Sequence, residues 1–180
     1  MTTQGTGTGK DSGLMTGLFS DKESSESAYK SLRDRGYSDD EINVVMSDET
    51  RKKYYADGSD SALGSKAAEG TGVGGAIGGT LGAIIAGVAA IGTNLVLPGI
   101  GLVVWGPLAA ALAGAGAGAL TGGLVGALVG WGIPEDHALV YEDGIKNGGT
   151  VLGVKPRSTE DADYIADKWK TDYRGQNIYR

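Results

Sequence analysis

The sequence predicts an α+β fold: a ferredoxin-like sandwich of two strand–helix–strand halves, interrupted by a long glycine-zipper helical hairpin. Three observations predict it. Residues 14–47 read as strand, helix, strand, and residues 150–180 repeat that order. Between the halves, residues 70–134 contain no Asp, Glu, Lys, Arg or His. Within that run glycine recurs at every fourth position, which on an α-helix draws a bare groove along one face. The chain then divides into a Thr/Gly-rich, disordered tail (1–13), a first half-domain (14–47), a polar linker (48–69), the hairpin (70–133), and an exit helix with the second half-domain (134–180).

Taken in order, Leu14 to Phe19 form a strand, and Ser20 followed by Glu23 is a capping-box start for a helix. Ala28, Tyr29 and Leu32 give that helix an apolar stripe, and Gly36 stops it. Ile42, Val44 and Met46 share one face of a second strand. The polar stretch from Ser47 to Glu69 is partly helical around Arg51 to Tyr55, with Tyr54 and Tyr55 suited to packing on the domain or to a headgroup layer.

The first glycine ladder is Gly70, Gly74, Gly78 and Gly82, continued by Ala86 and Ala90; the second is Gly114, Gly118, Gly122, Gly126 and Gly130. Each interior glycine costs roughly 1 kcal/mol relative to alanine, so such helices require close backbone packing to recover the loss. Gly74, Gly78, Gly82, Ala86 and the five glycines of the second ladder are therefore the candidate helix-packing and oligomerisation residues. The opposite faces carry Ile77, Leu81, Ile84, Val88, Leu120, Leu124 and Leu128, leaving no polar face for water. Each arm of about 24 residues spans roughly 36 Å, enough to cross a hydrocarbon core of about 30 Å. Trp105 and Trp131 stand near opposite ends of the second arm as membrane-interface candidates. Arg51, Lys52, Lys53 and Lys66 before the hairpin place both chain ends in the cytoplasm by the positive-inside bias. The uncharged connector from Leu97 to Pro107 also allows a re-entrant hairpin. Asn94 either seeks a partner across helices, fixing register, or caps a helix before Pro98.

Beyond the hairpin, Pro134 suits a first helical position, with Glu135 and Asp136 in the first turn and Gly148-Gly149 as the stop. Ile133, His137, Val140, Tyr141 and Gly144 fall roughly on one side of that exit helix. Thr150 to Lys155 form the third strand. Ser158 caps a last helix striped by Ala162, Ile165, Ala166, Trp169 and Tyr173, and Gln176 to Tyr179 form a short final strand. Two helices would then cover one face of a four-stranded antiparallel sheet.

Composition excludes several functions. A net charge of −6 without a basic stripe argues against nucleic acid. No cysteine is present, and the N-terminal tail lacks the apolar run of a signal peptide. Gly70-Thr71-Gly72-Val73-Gly74-Gly75 matches a dinucleotide pattern, but no strand precedes it and no acidic residue follows before Glu135. His137 is the single histidine, a poor basis for a metal site and at most a pH sensor. The groups Asp39-Asp40-Glu41 and Glu160, Asp161, Asp163 read as helix-end and solvated carboxylates. No catalytic, cofactor-binding or metal-ligating residue is assigned, and the expectation is a protein that is not an enzyme.

Several stretches carry a resemblance: Gly17-Leu18-Phe19-Ser20-Asp21, Gly36 to Val45, the ladders, Gly132-Ile133-Pro134-Glu135-Asp136, and Tyr141 to Thr150. In these the chain resembles bacterial general-stress and low-temperature-induced proteins of the heat-induced stress protein YflT type, over nearly all of its length after Gly13. The resemblance implies a stress-associated, non-enzymatic role and transfers no catalytic motif. The expected function is thus a stress-associated protein that self-associates through the hairpin and attaches to a lipid bilayer at the cytoplasmic face of the inner membrane. A membrane-protein partner is a further option. The alternative is a soluble, cytoplasmic homo-oligomeric assembly or binding module that buries the hairpins in a shared core.

Overall fold

Short apolar and β-branched runs bounded by Gly, Ser and Asp favour strands here, and amphipathic stretches between them favour helices. The computed structural model describes residues 13–55, 94–97, 101–109 and 123–180, with the backbone alone for Tyr55 and for 94–97. Its elements are β1 (Met15–Phe19), α1 (Lys22–Asp34), a 3-10 turn (Asp39–Glu41), β2 (Ile42–Ser47) and α2 (Asp48–Tyr55). β3 (Asn94–Leu97), β4 (Leu102–Trp105), α3 (Gly123–Gly130), α4 (Glu135–Lys146), β5 (Thr150–Val154), α5 (Thr159–Thr171) and β6 (Gln176–Tyr179) follow.

The strands form one six-stranded sheet in the order β3-β4-β2-β5-β1-β6, antiparallel at every pairing. The four strands expected from the two halves lie together as β2-β5-β1-β6, with β5 between β1 and β2. That order is broadly consistent with a ferredoxin-like arrangement. Val44↔Leu152 and Leu18↔Val151 are representative registers, so each half of the chain is stitched to the other across the excursion between them.

Helices cover both faces of the sheet, where the sequence suggested one. On the first face, Ala28, Tyr29 and Leu32 of α1 and Ile165 and Trp169 of α5 pack on Met15, Phe19, Val44, Met46 and Leu152. On the second, Leu124, Ala127 and Leu128 of α3 and Ala138, Tyr141 and Ile145 of α4 pack on Leu18, Val45, Val104 and Val151. Every residue of β1, β2 and β5 is consequently buried, and both residue parities in these strands must suit a core.

The larger correction concerns the charge-free middle of the chain. Of the connector expected at the far end of a membrane hairpin, Leu97 and Leu102–Trp105 are strand residues of the sheet. β4 pairs with β2 from Val44↔Trp105 to Ser47↔Leu102, and β3 pairs with β4 from Asn94↔Trp105 to Leu97↔Leu102. Leu102-Val103-Val104-Trp105 has high β propensity and finds an open sheet edge to satisfy its backbone groups. Trp105 is 2% exposed within the first core, where it cannot serve as an interfacial anchor, and Trp131 is partly buried against the second. Among the described residues no helix is long and apolar enough to cross a membrane. The described helix of the second ladder, α3, has 8 residues, about 12 Å of rise against a core of about 30 Å. These findings overturn the expected bilayer attachment, the membrane-interface roles of both tryptophans and the inner-membrane location.

Local signals fare differently at the two capped helices. Ser158 caps α5 as expected, its Oγ accepting from the Asp161 N–H at 3.1 Å. At α1 the cap is Asp21, not Ser20: its Oδ1 accepts from the Ser24 N–H at 2.8 Å. Either residue type satisfies an orphan donor at a helix start, so the one-residue difference changes little.

Candidate interaction surface

α3 has the sequence Gly-Leu-Val-Gly-Ala-Leu-Val-Gly, with no polar side chain. Leu124, Ala127 and Leu128, at i, i+3 and i+4, turn towards the sheet. Gly126 and Gly130 turn away from it. A Cβ built at either would have nothing within 4 Å among the described residues, so no described part of the chain covers the bare side of the helix. Beside these glycines Val129 is 43% exposed, and the neighbouring α4 adds Leu139 at 52% and Val140 at 46%. These are three of the four exposed large apolar residues among the described positions, the fourth being Tyr164. α4 itself sits tightly on the sheet, because Gly144 lets its backbone approach the Leu18 side chain. The helix layer is therefore well anchored beneath, and above it Val129, Leu139 and Val140 stand exposed among the charged Glu135, Asp136, Asp143 and Lys146 of α4.

Titratable groups elsewhere are engaged in structural ties. Asp161, 8% exposed, accepts from the Tyr37 hydroxyl, the Arg35 Nε and the Arg157 N–H. Burial alone would raise its pKa, but the hydrogen bonds from Tyr37 and Arg35 outweigh it and hold the carboxyl below its usual range. Tyr37 is pushed up to about 12 by burial, then by its hydrogen bond to Asp161 and by that residue's charge. The Arg157 guanidinium lies 4.3 Å from the Tyr37 ring centre and bonds Gly36 O and Glu41. Together these residues tie the loop after α1 to the start of α5. Asp39 pairs with Arg33 and accepts from the Tyr29 hydroxyl, and Asp163 pairs with Arg180. None of these carboxylates shares a desolvated cleft with another.

His137 lies beside Tyr179 and Tyr141, at 5.0 and 6.4 Å between ring centres. Its Nδ1 is buried without a hydrogen-bond partner among the described residues. The Tyr141 hydroxyl donates to Asn177 O at 2.7 Å and so accepts from Thr16 Oγ1 at 2.8 Å. Burial pushes that phenol up to about 12. Among the described residues no group of three or more His, Cys, Asp or Glu could hold a metal ion.

Of the residues singled out in the sequence, Gly126 and Gly130 are placed side by side on the open face of α3. Gly74, Gly78, Gly82, Ala86, Gly114, Gly118 and Gly122, with the dinucleotide-like pattern, lie outside the described residues. Asn94 opens β3 as a strand residue and not a helix cap. Asn43, not among the residues singled out in the sequence, is 3% exposed and ties β2 to β5 and to the helical turn after β4. Its Oδ1 accepts from the Leu108 N–H at 2.7 Å and its Nδ2 donates to Gly153 O at 3.2 Å. A polar residue inside an apolar strand, Ile42-Asn43-Val44-Val45, was the available signal. Comparison of the chain with protein-family models, with curated proteins and with solved structures gives no match. The resemblance to stress proteins therefore gains no support, and what the chain does is argued from its surface.

Proposed function

We propose that this chain is a non-enzymatic homo-oligomeric assembly module. In this reading a ferredoxin-like domain, widened by the β3–β4 hairpin, joins copies of itself through the outer side of α3 and α4. The observation that carries the reading is the Gly126–Gly130 side of α3, which no described residue covers, beside exposed Val129, Leu139 and Val140. Removal of apolar surface from water yields about 25 cal/mol per Å², and a stable pairing needs about 800 Å² per partner. α3 brings no charged side chain to the contact, because 70–134 holds no Lys, Arg, Asp or Glu, whereas α4 carries Glu135, Asp136, Glu142, Asp143 and Lys146.

Size-exclusion chromatography with light scattering in detergent-free buffer tests the reading. A discrete particle with a mass that is a multiple of 18.3 kDa is expected. A dispersed 18.3 kDa monomer at every concentration contradicts it.

A further inference from the structure

The two outer strands of the sheet are built differently. β6 pairs with β1 through Thr16↔Tyr179 and Leu18↔Gln176, three steps on β6 against two on β1. The extra residue makes a bulge, and Asn177 has a left-handed φ of +47° there. Gln176 bonds the Ser20 hydroxyl, and Arg180 is paired with Asp163 just beyond the strand. Bends, short length and flanking charge are the devices by which an outer strand refuses another. β3 is equally short but has neither a bulge nor a charge of its own. Its four residues pair in unbroken register with β4, and Asn94-Leu95-Val96-Leu97 carries no charge, glycine or proline. Among the described residues no strand pairs with its outer side.

We propose that β3 is the strand through which a second copy of this chain docks, antiparallel to its own β3 about a two-fold axis. The proposal rests on the oligomeric reading above and adds to the α3–α4 contact a second one, along the sheet edge. A backbone edge can be filled only by another extended segment, and an uncharged one suits β3 because no charge awaits it there. The chain supplies such a segment itself in every copy. Two-fold pairing joins both six-stranded sheets into one, using the edge that no described strand fills and leaving the two bulged β6 edges outermost. The pairing therefore closes at two copies and does not propagate as a filament.

Hydrogen exchange of the full chain, resolved amide by amide and followed with light scattering over a dilution series, tests this. In an antiparallel ladder alternate residues turn their N–H outward, so alternate amides of 94–97 face away from β4. The expected result is that these exchange about a hundredfold slower than open-chain rates in the oligomer and lose that protection as the mass falls on dilution. An oligomer whose outward β3 amides exchange at open-chain rates overturns the strand pairing and leaves the oligomeric reading standing. A monomer at every concentration overturns both. Protection that persists in a diluted monomer also overturns the pairing, since another part of the same chain then fills the edge.

Discussion

Asp161 shows how much a single side chain carries in this molecule. Its carboxylate gathers the Tyr37 hydroxyl, Arg35 and a backbone N–H at the junction of α1 and α5. Hydrogen bonds to a charged group contribute about 1.5–3 kcal/mol, so Asp161→Asn is expected to lose about 2 kcal/mol in urea unfolding at neutral pH. Because the folded pKa is depressed, the stabilisation is present above the ordinary carboxyl value and lost as pH falls through the folded one. The gap between wild type and Asp161→Asn should therefore shrink below about pH 4. Tyr37 and Tyr141 have the opposite sign. Both are raised to about 12, so their stabilisation is complete below about pH 10 and disappears as pH climbs towards 12. Phenolate absorbance should show both ionising late, and Tyr37→Phe should remove one late titration; early ionisation of all tyrosines would contradict the burial described. Gly106 holds φ +94° beside the backbone of Ile42 and Asn43, where a Cβ would overlap the Ile42 carbonyl. Gly106→Ala is expected to destabilise by about 2–4 kcal/mol, read as a lower urea midpoint.

At the scale of elements, α3 has one side that the sheet needs and one that it does not. Leu128→Ala leaves a cavity over Val45 and Val104 and should cost about 2–5 kcal/mol. Gly130→Leu meets no described residue, so the domain should unfold at the same or a slightly higher urea concentration, by up to about 1 kcal/mol of helix propensity. If the outer side joins copies, the same variant changes the particle's mass; equal mass with equal stability would remove the glycine side from the interface. The start and buried face of α5 were legible in sequence, through Ser158 and the stripe of Ala162, Ile165 and Trp169. Tyr173, counted in that stripe, lies beyond the helix end, and Asp161, read as solvated, is buried. β3 and β4 were not legible. An apolar run of four to eight residues has the same periodicity as a strand buried on both faces, a core helix or a lipid-facing segment. Leu102-Val103-Val104-Trp105 was assigned by its uncharged surroundings, when its β-branched residues and flanking glycines favoured a strand. Asn43 was equally hidden, because its partners, Leu108 and Gly153, are 65 and 110 residues away.

Over the whole molecule, the order strand–helix–strand twice was readable because each half is local. The sheet's width and its second helix layer were not, because they come from the segment between the halves. Closing that long excursion costs only a logarithm of its length, which lets β5 insert between β1 and β2. The same segment that suggested a bilayer thus supplies two strands and the helix α3 to one domain, and the sheathing of its apolar residues is in part internal. Nuclear Overhauser contacts between β2 and β4, recorded on the full chain in detergent-free buffer, test this most directly. The account predicts cross-strand contacts at Val44–Trp105, Val45–Val104 and Met46–Val103. Their absence, with Leu102 to Trp105 giving helical contacts or ordering only when detergent is added, would contradict it.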